Sequence, residues 1–353
     1  MLQDLTEQLK AGDTLSAEQV KAAVGELVDE RVGVETKSGF LTALARKGET
    51  TVEIAAFARE LREMSIQPPL DAGTRARDIL DVCGTGGDRL GTFNISTTVA
   101  IVAAAAGVTV AKHGNRAITS QAGSADVLEA LGVRIDLPPE QAAGWLRDHG
   151  FAFFFAPGYH PAFKHIAPAR KQCAERGQRT IFNFLGPLLN PARPSVQLIG
   201  VPLPDLCEPI ARVLQTLGIR RGMVVSGSVP APGDEAGHLD ELSTLGTSRV
   251  AEFYQDRAFS VSTFASDGLP LQSATLTDLA GGDRATNAGI IRRVIGGGER
   301  GPKRDAVLLN AGAALFVAGR TKSIHEGWEV AGGLIDSGKA RAKLEELVSA
   351  SRG

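Results

Sequence analysis

The chain has 353 residues, with 38 lysines and arginines against 40 aspartates and glutamates, which gives a formal net charge of -2. This balance excludes a bulk attraction to nucleic acid or an anionic membrane, so an anionic ligand needs a local cluster of cations. Glycine is in excess, with 41 residues or about 12% against a usual level of roughly 7%. Because the hydrophobic share of 43% is too high for a disordered chain, these glycines belong to turns and close backbone approaches of a folded protein.

The length predicts two domains, because single cores tend to split beyond roughly 250 to 300 residues. Cys83, Cys173 and Cys207 are odd in number and lack CxxC spacing, which argues against a disulfide framework or a zinc site. The first residues lack a signal-peptide pattern, and the longest apolar run, 99–108, is much shorter than a membrane span. We therefore expect a cytoplasmic protein that binds neither membrane nor nucleic acid.

Residues 1–70 are predicted to be helical throughout. Ser16 with Gln19 and Thr50 with Glu53 form capping boxes, and a proline pair at 68–69 ends the region. From Asp78 onward short apolar strands alternate with helices, and the region after 283 is again mostly helical. Strands are predicted at 79–82, 108–111, 151–155, 197–201, 223–226 and 249–253, with helices ending near 106 and covering 125–131. This alternation predicts an α/β fold with a mostly parallel central sheet.

A glycine-rich loop follows the first predicted strand. The sequence DVCGTGGD at 81–88 leads to TFNIST at 92–97, where a helix begins. Glycines let backbone N–H groups approach a ligand, and a helix N-terminus favours an anion, so the loop is typical of a phosphate site. It has neither the GKS or GKT of a P-loop nor the spacing of a dinucleotide fingerprint. The alternative is an ordinary glycine turn leading into an Asn or Ser helix cap.

The second strand-exit loop, KHGNRAITSQAGS at 112–124, gathers two permanent cations, an imidazole, an amide and several hydroxyls. Arg116 can bind phosphate oxygens in bidentate fashion and Lys112 can act as a point charge. In open α/β sheets both loops lie at the carboxyl ends of the strands, where ligands bind. The alternative is a solvated basic loop, and His113 fits a structural hydrogen bond as well as it fits ligand contact.

Two later segments carry further candidates. Asp240 and Glu241 lie on a loop that is rich in glycine and proline, where adjacent carboxylates are usually surface charge. Beside a polyphosphate they would instead supply hard oxygen ligands for Mg²⁺, and Ser96 would add a hydroxyl. The segments HPAFKHIAPAR at 160–170 and RTIFNFLGPLLNP at 179–191 mix cations with apolar residues. That mixture suits an apolar ligand with a carboxylate, or equally a helix with a basic face followed by a buried strand and a proline turn.

Several motifs in order along the chain resemble those of the anthranilate phosphoribosyltransferases. They are GTGGD at 84–88, NIST at 94–97, KHGNR at 112–116, GSADVLEALG at 123–132, the HPAxKHxAPxR segment ending at Arg170, RTIFNxLGPLxNPA at 179–192, LDELS at 239–243, RDAVLLN at 304–310 and DSGK at 336–339. The segment 171–178 and the loop in the 230s are longer than the family's pattern. The resemblance covers nearly the whole chain.

This resemblance implies a small all-α domain plus a larger α/β domain of the nucleoside phosphorylase and phosphoribosyltransferase type. The predicted division is 1–70, joined by a helical segment near 160–190, and 71–353. It also implies a homodimer formed through the α domains. The implied reaction transfers the phosphoribosyl group of 5-phosphoribosyl 1-pyrophosphate (PRPP) to the amine of anthranilate. The products are N-(5-phosphoribosyl)anthranilate and pyrophosphate, in tryptophan biosynthesis.

The same resemblance assigns binding residues. Arg170, Gly84 and Asn115 match anthranilate contacts, and Ser96, Asp240 and Glu241 match Mg²⁺ positions, with two Mg²⁺ expected per subunit. The positions that match PRPP contacts are Gly84, Gly87, Asp88, Thr92, Asn94, Ile95, Ser96, Thr97, Lys112, His113, Gly114, Asn115, Arg116, Ala117, Ile118, Thr119, Ser120 and Ser124.

No acid or base residue is assigned, because an aromatic amine is largely unprotonated at neutral pH. The expected catalysis consists of positioning and neutralising the leaving pyrophosphate. Two rivals remain: a pyrimidine nucleoside phosphorylase, against which KHGNR and NIST argue, and a non-catalytic phosphosugar sensor, against which Asp240 and Glu241 argue.

Overall fold

The computed structural model describes residues 1–117, 121–230 and 237–352. The predicted helical region, 1–70, contains α1 (Leu2–Lys10), α2 (Ala17–Val28), α3 (Val34–Lys47) and α4 (Thr51–Glu63), and the short helix α5 (Ala72–Arg75) follows it. Both predicted capping boxes are confirmed, since Ser16 accepts a hydrogen bond from the Gln19 amide and Thr50 from the Glu53 amide. The capping side chains therefore set where α2 and α4 begin.

Glu53 also joins two parts of the helical region. Its buried carboxylate accepts hydrogen bonds from the main-chain N–H groups of Leu15 and Thr50 at 2.9 Å and lies 2.7 Å from the Lys47 ammonium. These bonds outweigh burial and hold the pKa of Glu53 below its usual value. A capping glutamate thus also fixes the connection between α1 and α2 against α4.

The α/β part begins at residue 79. Its strands are β1 (Ile79–Gly84), β2 (Thr109–Gly114), β3 (Phe151–Phe155), β4 (Val196–Gly200), β5 (Arg221–Val229), β6 (Gly237–Leu239), β7 (Ser248–Tyr254) and β8 (Ala258–Phe264). The helices up to β5 are α6 (Ile95–Ala105), α7 (Ser124–Leu131), α8 (Pro139–His149), α9 (Ala156–Tyr159), α10 (Ala167–Glu175), α11 (Phe182–Leu185) and α12 (Cys207–Thr216). The C-terminal helices are α13 (Arg284–Ile295), α14 (Pro302–Val317), α15 (Ile324–Asp336) and α16 (Lys339–Ala350).

The strands form one sheet in the order β3-β2-β1-β4-β5-β7-β8. The first five run parallel, whereas β6, β7 and β8 pair antiparallel. The predicted α/β class with a mostly parallel sheet is confirmed, and all six predicted strands are present. We did not predict β6 and β8. The first has only three residues, and the second is a partly exposed edge strand whose serines and threonine give a weak apolar signal.

The five parallel strands are buried on both faces, and alternate residues enter different cores. Leu198 belongs to the core that contains residues of α6, α13, α14 and α15, while its neighbour Ile199 belongs to the core that contains residues of the N-terminal helices, α10 and α12. This is the period of two expected for a sheet covered by helices on both faces. The N-terminal helices therefore share a hydrophobic core with one face of the sheet, and the division at residue 70 stays a prediction.

The structure also bears on the segment after Arg179 and on membrane-spanning helices. The segment after Arg179 does not form the buried strand that one interpretation included. Instead it forms α11 and a 3₁₀ turn at Gly186–Leu189, because Pro187 and Pro191 interrupt strand pairing. None of the helices in the described ranges combines the length and apolar character required to cross a bilayer.

Candidate active site

The predicted site residues lie at one edge of the sheet. Because β1, β2, β4 and β5 are parallel, their carboxyl ends face the same way, and the loops after β1 and β2 emerge there. The segment 240–243, which follows β6, crosses this edge. The topology thus brings together residues that are more than 150 positions apart in sequence, as with Gly86 and Asp240.

Three glycines allow segment 240–243 to lie directly on the strand ends. A Cβ at Gly84 of β1 would overlap the Asp240 carboxylate, and one at Gly200 of β4 would overlap the Asp240 carbonyl. A Cβ at Gly227 of β5 would overlap the main chain of Glu241 and Ser243. Gly84 and Gly200 face each other across the β1–β4 pair. The carboxylate-bearing segment therefore docks where the sheet presents bare backbone.

Asp240 and Glu241 are both buried, with 9% and 8% of their surface exposed. The Gly86 amide donates a hydrogen bond to Asp240 Oδ2 at 2.6 Å. Burial, together with the neighbouring Asp88, raises the pKa of Asp240 to about 7. Burial and the adjacent Asp240 raise the pKa of Glu241 well above its usual value. Two adjacent buried carboxylates with few compensating charges form a pair that a cation would stabilise.

Lys112 supplies one positive charge beside this pair. Its side chain is 1% exposed, and its Nζ donates to the Val82 carbonyl at 2.6 Å and lies 3.4 Å from Ser96 Oγ. Burial lowers the pKa of Lys112, while Asp81 and Glu241 oppose that shift. The structure thus places Lys112 and Ser96 together at the start of α6, next to the carboxylates.

The donor set fits a magnesium site that is completed by a ligand. Within the described ranges no three His, Cys, Asp or Glu side chains already converge as a metal centre. However, Asp88 Oδ2, Thr85 Oγ1 and Thr97 Oγ1 are buried without a hydrogen-bond partner among the described residues. Since Mg²⁺ usually combines one or two carboxylates with water and phosphate oxygens, a few protein oxygens suffice.

The loop after β2 is held by a residue that we did not predict. The Asp126 carboxylate on α7 accepts hydrogen bonds from the Ala117 and Gly123 amides, both at 2.9 Å. It also lies 3.0 Å from Arg116, whose guanidinium contacts Glu129 at 2.9 Å. The structure therefore pairs Arg116 with α7. The predicted residues Ile118, Thr119 and Ser120, and most of the loop in the 230s, lie outside the described residues.

Asn94 connects the two loops rather than capping α6. Its Nδ2 donates to the Ala122 carbonyl at 3.2 Å, and its Oδ1 accepts from Asn287 Nδ2 at 2.9 Å. Asn94 occupies the N-cap position, but its side chain makes no capping hydrogen bond. Of the first amides of α6, that of Ile95 donates to the Phe93 carbonyl at 2.7 Å and that of Ser96 donates to the Glu241 carboxylate. The start of α6 thus already holds one of the two adjacent carboxylates. Thr92, just before α6, forms an isolated antiparallel β-bridge with Ala280.

A path of aromatic contacts leads from β2 to Arg170. His113 and His160 meet edge to face at 5.3 Å between ring centroids, and Phe163 stacks on His160 at 5.2 Å. Phe182 contacts Phe163 at 5.7 Å, and the Arg170 guanidinium lies 5.1 Å from the Phe182 ring centre. The path is apolar with a cation at its far end.

Burial sets the charge of these groups. It lowers the pKa of His113 to about 3, with His160 adding to the shift, and the pKa of His160 to about 4. Burial also lowers the pKa of Arg170. Both imidazoles are thus neutral at pH 7, and each leaves Nε2 without a hydrogen-bond partner among the described residues.

Hydrogen bonds of Asp81 and Asn190 join β1 to β2 near the site. Asn190 Nδ2 donates to Asp81 Oδ2 at 2.9 Å and to the Ala111 carbonyl at 2.7 Å, while Asp81 Oδ1 accepts from the His113 amide at 3.3 Å. Burial raises the pKa of Asp81 to about 6. Sequence reasoning gave neither residue a role, although a charged residue within an apolar strand was the available signal.

Comparisons with protein families agree with this architecture. Residues 3–65 match a family model described as the helical bundle domain of a glycosyl transferase family, and residues 76–341 match the a/b domain of that family. The chain is 45% identical to the anthranilate phosphoribosyltransferase of Moorella thermoacetica, over 99% of this chain and 98% of the relative. It is 44% identical to that of Petrotoga mobilis, over 96% and 93%.

Solved structures show the same similarity. The anthranilate phosphoribosyltransferase of Thermus thermophilus superposes with a TM-score of 0.87 at 41% identity, over 99% of both chains. The Saccharomyces cerevisiae enzyme in complex with PRPP and Mg also gives a TM-score of 0.87, at 27% identity, over 99% of this chain and 98% of that one. Its complex with 4-fluoroanthranilate gives 0.84 at 26% identity, over 99% and 97%.

The glycine docking predicts a strong effect of one methyl group. Gly200→Ala should displace segment 240–243, because the new Cβ overlaps the Asp240 carbonyl, at a cost of about 1–3 kcal/mol in the free energy of unfolding. The matched control is Gly25→Ala in α2, where nothing lies within 4 Å of the added Cβ. That change should stabilise the protein by about 0.5–1 kcal/mol. Urea unfolding measures both variants, and equal stabilities would contradict the docking.

Proposed function

The chain belongs to the anthranilate phosphoribosyltransferase family, and on that premise we propose which of its residues bind each substrate. The enzyme transfers the phosphoribosyl group of PRPP to the amine of anthranilate, a reaction of tryptophan biosynthesis, as the sequence resemblance predicted. The observation that carries the assignment is the docking of Asp240 and Glu241 on the glycine ends of β1, β4 and β5, beside Lys112 and the start of α6.

PRPP is proposed to bind across the two loops that follow β1 and β2. The N-terminus of α6, which the Asn94 side chain does not cap, and the glycine loop after Gly84 suit the pyrophosphate, because a helix N-terminus favours an anion and glycines let it approach the main chain. Asp126 and Asn94 support the same assignment, since Asp126 holds the second loop against α7 and Asn94 joins that loop to the start of α6. We propose the full set of PRPP contacts that the sequence predicts. Arg116 would have to leave its ion pairs with Asp126 and Glu129 to reach a phosphate.

Mg²⁺ is proposed to be held by Asp240, Glu241 and Ser96, with Asp88 close by and two ions per subunit. Support comes from the raised pKa values of both carboxylates, because a divalent cation would relieve the repulsion that causes them. The unpartnered Asp88 Oδ2 adds a free acceptor. When bound, the metal would neutralise charge on the pyrophosphate as it leaves.

Anthranilate is proposed to enter along the aromatic path, with its carboxylate on Arg170. The rings of Phe163, Phe182 and His160 suit its flat apolar face, and the guanidinium suits its anion. Gly84 and Asn115 remain proposed contacts at the sugar end. The neutral imidazole of His113 lies where the path meets β2 and can orient the amine without needing to remove a proton.

The proposed mechanism is a direct displacement at C1 of the ribose. The amine attacks C1, the bond from C1 to the pyrophosphate oxygen breaks, and the configuration at C1 inverts. The nitrogen then loses one proton, which the departing pyrophosphate or water accepts. The protein aligns the two substrates and excludes water, which together can supply a large part of the rate enhancement. No side chain has to act as a strong base, because the aromatic amine is already unprotonated at neutral pH.

A homodimer in the cytoplasm is the proposed state. The structure describes eight exposed large hydrophobic residues, and five of them lie in the first 66 residues: Met1, Val34, Val52, Met64 and Ile66. This concentration supports an interface formed by the helical region. The three cysteines are buried and unpaired, which supports a reducing compartment.

The metal assignment predicts that the double change Asp240→Asn with Glu241→Gln lowers kcat by on the order of a hundredfold or more. The midpoint of thermal unfolding of the metal-free variant should not fall below that of wild type, because two buried carboxylates that repel each other are replaced by neutral amides. Loss of anthranilate fluorescence with PRPP and Mg²⁺ measures turnover. Asp205→Asn with Glu208→Gln, a pair without a place in the site, is the control. Near-normal turnover in the first variant would exclude these metal ligands.

The anthranilate assignment predicts that Arg170→Ala raises KM for anthranilate by about tenfold, a loss of roughly 1.4 kcal/mol of binding, and leaves KM for PRPP within about twofold. Initial rates with each substrate varied separately give both constants. Lys171→Ala removes the neighbouring cation, whose side chain is 79% exposed, and should change neither. An equal rise in both constants for Arg170→Ala would refute a specific anthranilate contact.

The dimer assignment predicts that Val52→Lys, at a position that is 66% exposed in the helical region, weakens self-association. Sedimentation velocity at several concentrations measures the shift from dimer to monomer. The control is Val330→Lys on α15, where the valine is 39% exposed outside that region. A monomeric wild-type protein, or dissociation by the control alone, would count against an interface through the helices.

A further inference from the structure

Asn310, in the middle of α14, makes a paired contact with the segment that carries the proposed metal ligands. Its Oδ1 accepts a hydrogen bond from the Leu242 amide at 2.9 Å, and its Nδ2 donates to the Leu242 carbonyl at 3.0 Å. Leu242 directly follows Glu241. The side-chain amide thus binds the main chain of one residue from both sides, as a neighbouring strand would.

The contact is completely buried and completely satisfied. Asn310 is 0% exposed. Its Nδ2 also donates a hydrogen bond, at 2.9 Å, to the Ala306 carbonyl one turn earlier in α14. No other residue type reproduces this pattern, because Asp lacks the donor, Leu lacks both groups and Gln is longer. A buried amide that uses both of its N–H protons and its oxygen in hydrogen bonds specifies one position of its partner.

The helix that carries Asn310 is itself fixed. At Gly312 of α14 and Gly327 of α15 the two backbones touch, since a Cβ at either position would overlap the other helix. The α14 helix is therefore a rigid support. The Leu242 contact joins this support to segment 240–243. The segment is also held elsewhere: Asp240 accepts from the Gly86 amide, the Ser243 amide donates to the Ser248 hydroxyl, and the Ser243 hydroxyl donates to the Ser228 carbonyl.

We propose that Asn310 is a positioning residue that holds Asp240 and Glu241 in the arrangement required for Mg²⁺. The proposal rests on the assignment of those carboxylates as metal ligands. Asn310 touches neither carboxylate and acts through the main chain of Leu242. Groups outside the first coordination shell commonly change metal affinity in this way, because they orient the ligands.

The test compares Asn310→Ala and Asn310→Asp with a matched change on the same helix. Asp305 is also buried on α14 and holds main chain elsewhere, since its carboxylate accepts from the Gln272 amide at 2.9 Å. Asp305→Ala should lower the thermal midpoint to a similar extent. The Asn310 variants alone should raise the apparent Mg²⁺ constant, by about 10–100-fold, with turnover partly restored at high Mg²⁺.

Two readouts do not depend on turnover. Amide hydrogen exchange of Leu242 in the metal-free protein should be faster in Asn310→Ala than in wild type, and unchanged in Asp305→Ala. Mn²⁺ binding in the presence of PRPP, followed by electron paramagnetic resonance, should weaken only in the Asn310 variants. If Asn310→Ala does not fold, Asn310→Asp keeps the volume and carries the test, because it replaces the donor with an acceptor facing two carbonyls.

Unaltered metal constants in both Asn310 variants, or the same rise in Asp305→Ala, would overturn the positioning role. Failure of the proposed function would be distinguishable, because the wild-type protein would then not consume anthranilate at any Mg²⁺ concentration. The exchange rate of the Leu242 amide would still show whether Asn310 fixes the segment.

Discussion

The site depends on one close approach between backbones. Segment 240–243 lies on the carboxyl ends of β1, β4 and β5 because glycine occupies the last position of β1 and β4 and position 227 near the end of β5, and a side chain at any of the three would push the segment away. The approach brings two carboxylates to the start of α6 and to the loop after β1. It also buries them, and burial gives them their raised pKa values. The glycine excess of the chain is thus used in part to let an acidic segment reach the sheet.

Burying like charges costs folding free energy, and the surroundings offset only part of that cost. The Gly86 amide and the Lys112 ammonium compensate some of the negative charge of Asp240, Glu241 and Asp88, while Lys112 is itself destabilised by burial. A site left with excess negative charge is prepared to take up a divalent cation together with its anionic ligand. Strain of this kind is tolerated at a functional site, where the binding partner relieves it.

The sequence predicted the fold class, the strands of the parallel sheet and the gathering of both loops at one edge, because these follow from local periodicity and topology. It did not predict the supports. Asn190, Asn287 and Asn310 are ordinary amides in sequence, and their roles depend on partners that are remote in the chain, such as Leu242 for Asn310. The edge strand β8 was missed because exposure weakens its apolar pattern. Arg116 was expected at a phosphate, but its pairing with Asp126 and Glu129 depends on how α7 packs.

The end of β2 separates the two proposed substrate sites. Successive side chains of a strand point to opposite faces, so Lys112 lies toward Ser96 and the carboxylates, whereas His113 lies toward His160 and the aromatic path. The next residue is Gly114, where a side chain would overlap Ser124 Oγ. In the proposed reaction the phosphoribosyl group would come from the acidic face and anthranilate from the apolar one. They would meet over this bare strand end, so the alternation of three strand residues would keep the leaving group and the nucleophile on opposite sides of C1, as inversion requires.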